Sequence, residues 1–228
     1  MTTTVAVPTT TVSSTRRLLS LGAIVGLAVF CGGWLIAEGL EGHGYSVARH
    51  DISDLGALTA RYATLIRVTD AIGGLLVIAF ALGALVPALA APGRRIALGA
   101  VTLAASLPAF DTASDALFRL DCRAADHGCS ASAATTSWHG KAHILAFAIA
   151  ALASIATPFL LARRMQLLDA WRDFARPTRI FGLVFIPLLI ATGATTNSSV
   201  GGWAQRVVIF YACTGVALLA QRVRAVPR

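Results

Sequence analysis

This sequence predicts an all-α integral membrane protein: a six-helix bundle with both termini cytoplasmic and one disulfide-closed outer loop. Three observations predict it. Hydrophobic residues fill 56% of the 228 positions and charged residues only 13%, where a soluble domain carries about 25% charged residues. Apolar stretches of about 20 residues, the length that crosses roughly 30 Å of hydrocarbon as a helix, recur along the chain. Arginines, finally, gather in every second connection.

Residues 1–15, MTTTVAVPTTTVSST, are Thr-rich, uncharged and aperiodic, and read as a disordered cytoplasmic leader. Residues 16–228 read as a single six-span transmembrane domain with spans at 19–38, 70–91, 96–118, 139–162, 180–197 and 203–220. Arg16 and Arg17 give the first span the look of an export signal, but no small-x-small cleavage site follows it, so it is retained. Phe30 stands where a lipoprotein box ahead of Cys31 would need a small residue.

Orientation follows from the basic residues, which concentrate in cytoplasmic loops. Arg16, Arg17, Arg94, Arg95, Arg163, Arg164, Arg172, Arg176, Arg179, Arg222, Arg224 and Arg228 fall on one face and meet only Asp169 and Asp173. The formal charge of +8 is therefore a topological signal, satisfied by anionic lipid, and calls for no nucleic-acid partner. The segment RRMQLLDAWRDFARPTR is amphipathic enough to lie on the inner membrane surface. The outward connections are 39–69, 119–138 and 198–202. In the first, HDISDLGA suggests a re-entrant or interfacial helix near 52–65, capped by Ser53 or Asp54. Cys122 and Cys129 lie in the second, where an oxidising compartment permits a disulfide. Cys31 and Cys213 fall inside apolar spans and read as packing residues.

Ionisable residues inside the spans are the candidates for function, because an acid at the bilayer centre costs about 2.5 to 3.5 kcal/mol on insertion scales. Asp111 and Asp115, in SLPAFDTASDALF, are four residues apart and share a helix face, with Pro108 one turn earlier. In SWHGKAH, His139 and His143 repeat that spacing. Glu38, Asp54, Asp70, Asp121 and Trp138 fall at the same outer level and complete a candidate substrate pocket, with His50 a further catalytic candidate. Taken singly, each of these groups is as well explained by an interhelical hydrogen bond or an ion pair.

YSVARHDISDLGA, DTASDALFRLDC and SWHGKAH together resemble the multi-pass bacterial and archaeal family known as domain of unknown function 998. That resemblance implies a six-helix membrane protein and no established activity. The H-x3-H of His139 and His143 is more weakly similar to the zinc site of the alkaline ceramidase and adiponectin-receptor superfamily, whose members have seven helices.

The functional expectation is a cell-membrane enzyme acting on a lipid or isoprenoid-like substrate at the outward pocket, a lipid hydrolase or a terpene-type cyclase. In a metal-assisted version His139 and His143, with His50 or Asp115, would hold Zn²⁺. In a metal-free version Asp111 or Asp115 would act as general acid. The alternatives are a proton-coupled transporter or a non-catalytic membrane protein using the same Asp/His cluster. No phosphate-cradling Gly loop or G-x-S-x-G elbow is present. The topology is checked by cysteine labelling from outside intact cells: a cysteine placed in 163–179 should be protected and one placed in 124–128 labelled. The reverse pattern would overturn the assigned orientation.

Overall fold

The computed structural model describes residues 13–42, 44–90, 96–196 and 198–226, and among them every regular element is helical. Five helices are long and apolar enough to cross a membrane. They are α1 (Ser14–Leu40), α2 (Ala63–Ala88), α4 (Trp138–Met165), α5 (Arg172–Thr195) and α6 (Gly201–Ala225). The expected third span is not one continuous helix. Its segment, α3, is assembled from a helix over Leu98–Ala104, a wide π turn over Leu107–Asp111 and a last turn over Thr112–Asp115.

The break has a local cause. Ser106 is extended, with φ −84 and ψ 173, just ahead of Pro108, which lacks an N–H and crowds the preceding turn. The backbone groups this frees are satisfied by side chains: the Leu107 N–H donates to Ser154 Oγ of α4 at 2.9 Å, and Thr112 Oγ1 donates to the Leu107 carbonyl at 2.9 Å. Broken helices survive at membrane depth only with such partners. In α2 a π turn over Ala81–Leu85 precedes Pro87.

Other boundaries differ from the sequence reading. α1 starts at Ser14, capped by Ser13 Oγ, which accepts the Arg16 N–H at 3.4 Å. The helix α2 begins at Ala63, seven residues before Asp70, so Asp70 lies about 10 Å inside it. No single helix runs over 52–65: a 3₁₀ turn stands at Ile52–Gly56, capped by neither Ser53 nor Asp54, and α2 begins only at Ala63. The segment expected on the membrane surface is divided between the end of α4, a short connection with a 3₁₀ turn at Asp169–Trp171, and the start of α5, with Trp171 only 1% exposed. Trp171 has bundle to bury against, which outweighs the interfacial preference of its ring. Residues 1–12, Arg94, Arg95, Asn197 and Arg228 lie outside the described residues.

Small residues set the helix contacts, as expected where no hydrophobic effect separates helix from lipid. A Cβ on Gly73 of α2 would lie 2.7 Å from Phe30 Cβ of α1. At Gly74, α2 meets the backbone of α3, where a Cβ would strike the Ala113 nitrogen and sit 2.5 Å from the Ala109 carbonyl oxygen. At one end of the bundle the connections interlock. The Leu58 N–H donates to the Leu120 carbonyl at 2.9 Å, and Arg123 pairs with Glu41 at 2.6 Å. A Cys122–Cys129 disulfide, Cα to Cα 6.1 Å, closes the loop that carries Arg123. Arginines collect at the other end, where Arg222 donates to the Ala170 carbonyl at 2.7 Å.

Gly74→Val should lower stability by about 2 to 3 kcal/mol, because the clash is with backbone that cannot step aside. Gly32→Ala, where a Cβ meets nothing within 4 Å, should raise it by about 0.5 to 1 kcal/mol. Thermal melting of both variants in one detergent measures the contrast.

Candidate functional site

The close approach of α2 and α3 at Gly74 brings the residue one turn earlier, Asp70, against the π turn that carries Asp111. Asp115 follows one turn later, and α4 completes the group with His143. All four line one cavity of about 500 Å³ at the polar end of the bundle. Its walls are largely apolar, with Phe30 of α1, Phe118 after α3, Phe147 of α4 and Val208 of α6. Asp51, Ser53, Arg119 and Gln205 line its loop-facing end. A second, apolar hollow of about 140 Å³, between Pro108, Pro158 and Phe181, holds no titratable side chain.

His143 is 8% exposed and its Nδ1 lies 2.9 Å from Asp115 Oδ1. The two atoms form an ion pair when the imidazole is protonated, whereas Oδ1 of Asp70 and Oδ1 of Asp111 have no hydrogen-bond partner. Leaving a buried polar atom unpaired costs about 1 to 3 kcal/mol. Two such oxygens beside an ion pair are what a polar ligand, water or a transferable proton would satisfy.

His139 and His143 do not act as a pair. His139, one helical turn nearer the loops, sits with Nδ1 3.1 Å from the Leu117 carbonyl oxygen and its ring 3.7 Å from that of Trp138. It is not part of the cavity wall, and Trp138 itself is 65% exposed. Among the described residues no three His, Cys, Asp or Glu side chains converge as a metal would require. The zinc set of His139 and His143 with His50 or Asp115 is therefore not assembled. His50 Nδ1 instead accepts the Ser46 N–H at 2.8 Å, and burial lowers its pKa.

The other expected pocket residues hold the loops. Glu38 pairs with Arg206 of α6 at 2.8 Å, where the guanidinium is joined by Tyr45 and by the His50 carbonyl at 3.0 Å. Asp121 Oδ2 accepts the Ser137 N–H at 2.7 Å, and the hydrogen bonds from Ser137 hold its carboxyl below the usual range. Asp54, 3% exposed, accepts the Ala124 N–H at 3.1 Å, and burial pushes its pKa up to about 6. Sequence reasoning passed over Arg206, Arg119 and Gln205. The signal for Arg206 was present: an arginine within an apolar span needs an internal partner.

The family described as Protein of unknown function (DUF998) matches residues 23–222. No curated protein and no solved structure matches the chain. With the match running over nearly its whole length, the chain belongs to that family.

The buried Asp54 carboxyl gives a pH test. Its folded pKa of about 6 lies above the ordinary 3.8, so between these values the folded protein holds a proton that the unfolded chain has released. Stability should fall as pH rises from 4 to 6, by at most about 3 kcal/mol. Asp54→Asn keeps the Ala124 bond and should lack that fall, which the difference in melting temperature between wild type and variant across this range would show.

Proposed function

We propose that this member of the family is a six-span protein of the cell membrane, termini in the cytoplasm, whose cavity performs acid–base chemistry on a lipid or isoprenoid-like substrate. The observation that supports the reading is that Asp70, Asp111 and the Asp115–His143 pair line one largely apolar cavity, with Oδ1 of Asp70 and Oδ1 of Asp111 buried and without a hydrogen-bond donor. The Asp115–His143 pair borders the same space that a substrate can fill.

The roles divide by surroundings. Asp111, with Oδ1 buried and without a donor, lines the cavity beside the Asp115–His143 pair and is the general acid. Asp115, oriented against His143 at 2.9 Å, forms with it the base that collects the proton. For an alkene, Asp111 donates its proton to carbon and the π pair forms the new C–H; for an epoxide it protonates an oxygen lone pair and the C–O pair moves onto oxygen; in both the cation left on carbon passes Phe30, Phe118 and Phe147. The Asp115–His143 pair then removes a neighbouring proton and a new double bond closes the sequence. Aromatic faces attract such cations. Hydrolysis of a lipid ester would use the same pair to deprotonate water and Asp111 to protonate the leaving oxygen.

His143→Gln and Asp111→Asn should cut product formation by at least about a hundredfold, the usual contribution of an acid or base. Both should melt within a few degrees of wild type. The assay incubates purified protein with a total isoprenoid and lipid extract and follows new products by mass spectrometry. Melting temperatures that collapse in both variants would make the cluster a structural latch, since breaking a buried pair costs about 3 to 5 kcal/mol. Intact folding, no turnover by wild type, and proton-dependent solute uptake lost in both variants would mark a transporter instead.

A further inference from the structure

Arg119 is a cation without a counter-ion. It lines the cavity, its Nε is buried with no hydrogen-bond partner, and no carboxylate among the described residues pairs with it. Neighbouring arginines at this end are engaged: Arg206 with Glu38, Arg123 with Glu41 and Asp126, and Arg67 with the Ala116 carbonyl at 2.9 Å. The cavity's acids do not fill this role. Asp115 is turned to His143, Asp111 and Asp70 lie along α3 and α2, and the cation that acts on Asp51 is Arg206. A guanidinium held open in a cavity wall is a receptor for a carboxylate or phosphate.

The same cavity is walled on one side by α4 and α5. These helices touch where a Cβ on Gly182 would lie 2.6 Å from Pro158 Cγ, and nearer the polar end both line the cavity. There the wall is formed by Ile144 and Phe147 of α4, 50% and 40% exposed, and by Thr192 and Gly193 of α5. A Cβ on Gly193 would meet nothing within 4 Å. This exposed stretch of wall lies between two helices long and apolar enough to cross a membrane.

We propose that the cavity binds a single-chain amphiphile with an anionic head, admitted from the bilayer between α4 and α5, its head on Arg119 and its chain against the Asp111–Asp115–His143 cluster. The inference rests on the lipid-type substrate proposed above and names its head group. A volume of about 500 Å³ suits a ligand of ordinary small-molecule size, and so one chain instead of a two-tailed phospholipid. A membrane-embedded amphiphile keeps its head at the polar level, where Arg119 lies, and its chain at the level of this wall.

The test is binding, independent of turnover. The full-length protein in phosphatidylcholine nanodiscs is titrated with 16-doxyl-stearate, and the immobilised fraction is read by electron paramagnetic resonance. Oleate, oleyl phosphate and oleyl alcohol then compete. In wild type at least one acid should displace the probe at about tenfold lower concentration than the alcohol, the size of one charge-assisted contact; which acid is better tells carboxylate from phosphate. Arg119→Gln should abolish that preference and leave the alcohol unchanged, while Arg119→Lys keeps most of it. Gly193→Trp should weaken all three competitors by blocking entry along this wall. The readout is binding and needs no turnover, so a failure of the catalytic reading leaves this result standing. Equal competition by acids and alcohol in wild type, or an acid preference that survives Arg119→Gln, would overturn the proposal.

Discussion

The Arg206 guanidinium holds the polar end of the bundle together. It is 2% exposed, and all five of its N–H donors are used: two on Glu38 Oε2 at 3.0 and 2.8 Å, one each on the His50 and Gly202 carbonyls, and one on Tyr45 Oη. Tyr45 passes the chain on by donating to the Asp51 carbonyl at 3.2 Å. Burying a guanidinium is costly unless every donor is met, so α1, α6 and the long first connection must keep one arrangement around it. That arrangement fixes the backbone of Asp51, Ile52 and Ser53 across the mouth of the cavity. The Ile52 N–H is held in turn by Gln205 Oε1, one residue before Arg206 on α6, at 2.5 Å.

Below this roof the decisive feature is the interrupted third segment. A continuous helix from 98 to 115 would bond its own backbone throughout. The break at Ser106 and Pro108 widens the turn over Leu107–Asp111 and ties it to Ser154 of α4. The acids at its end are then held by neighbours on two sides, α2 through the contact at Gly74 and α4 through Ser154 and His143. Wide turns of this kind recur at functional sites, and here one carries the carboxyl assigned as the acid.

The site thus combines two requirements that oppose each other in a bilayer. Chemistry needs titratable groups left open, and the membrane penalises every polar atom left open. The fold meets the second demand at many positions: Asp121, Glu38 and Arg206 have partners, and the broken backbone is bridged. Some buried atoms lack a hydrogen bond elsewhere, as Trp34 Nε1 and Glu41 Oε2 do, while Asp70, Asp111 and Arg119 bring theirs to one cavity beside the Asp115–His143 pair.

Much of the fold was legible because the thickness of hydrocarbon imposes a length. Five of the six apolar stretches are helices able to cross a membrane, and the Cys122–Cys129 disulfide closes the loop in which both cysteines were found. Periodicity also placed Asp111 and Asp115 on one face. It could not separate His139 from His143, which share the same spacing: one turn of α4, about 5.4 Å, sets His143 level with Asp115 and lifts His139 to the Leu117 carbonyl. That is a matter of depth relative to other helices, which no single segment encodes. The break in the third segment was hidden for a like reason, since Pro108 forbids one hydrogen bond but only Ser154, far along the chain, makes the interruption affordable. The Glu38–Arg206 pair joins residues 168 apart. Local sequence determined which segments are helical and which side chains carry charge; tertiary packing decided which charges cancel and which stay open, because a buried charge is neutralised by whatever the fold brings within about 3 Å of it.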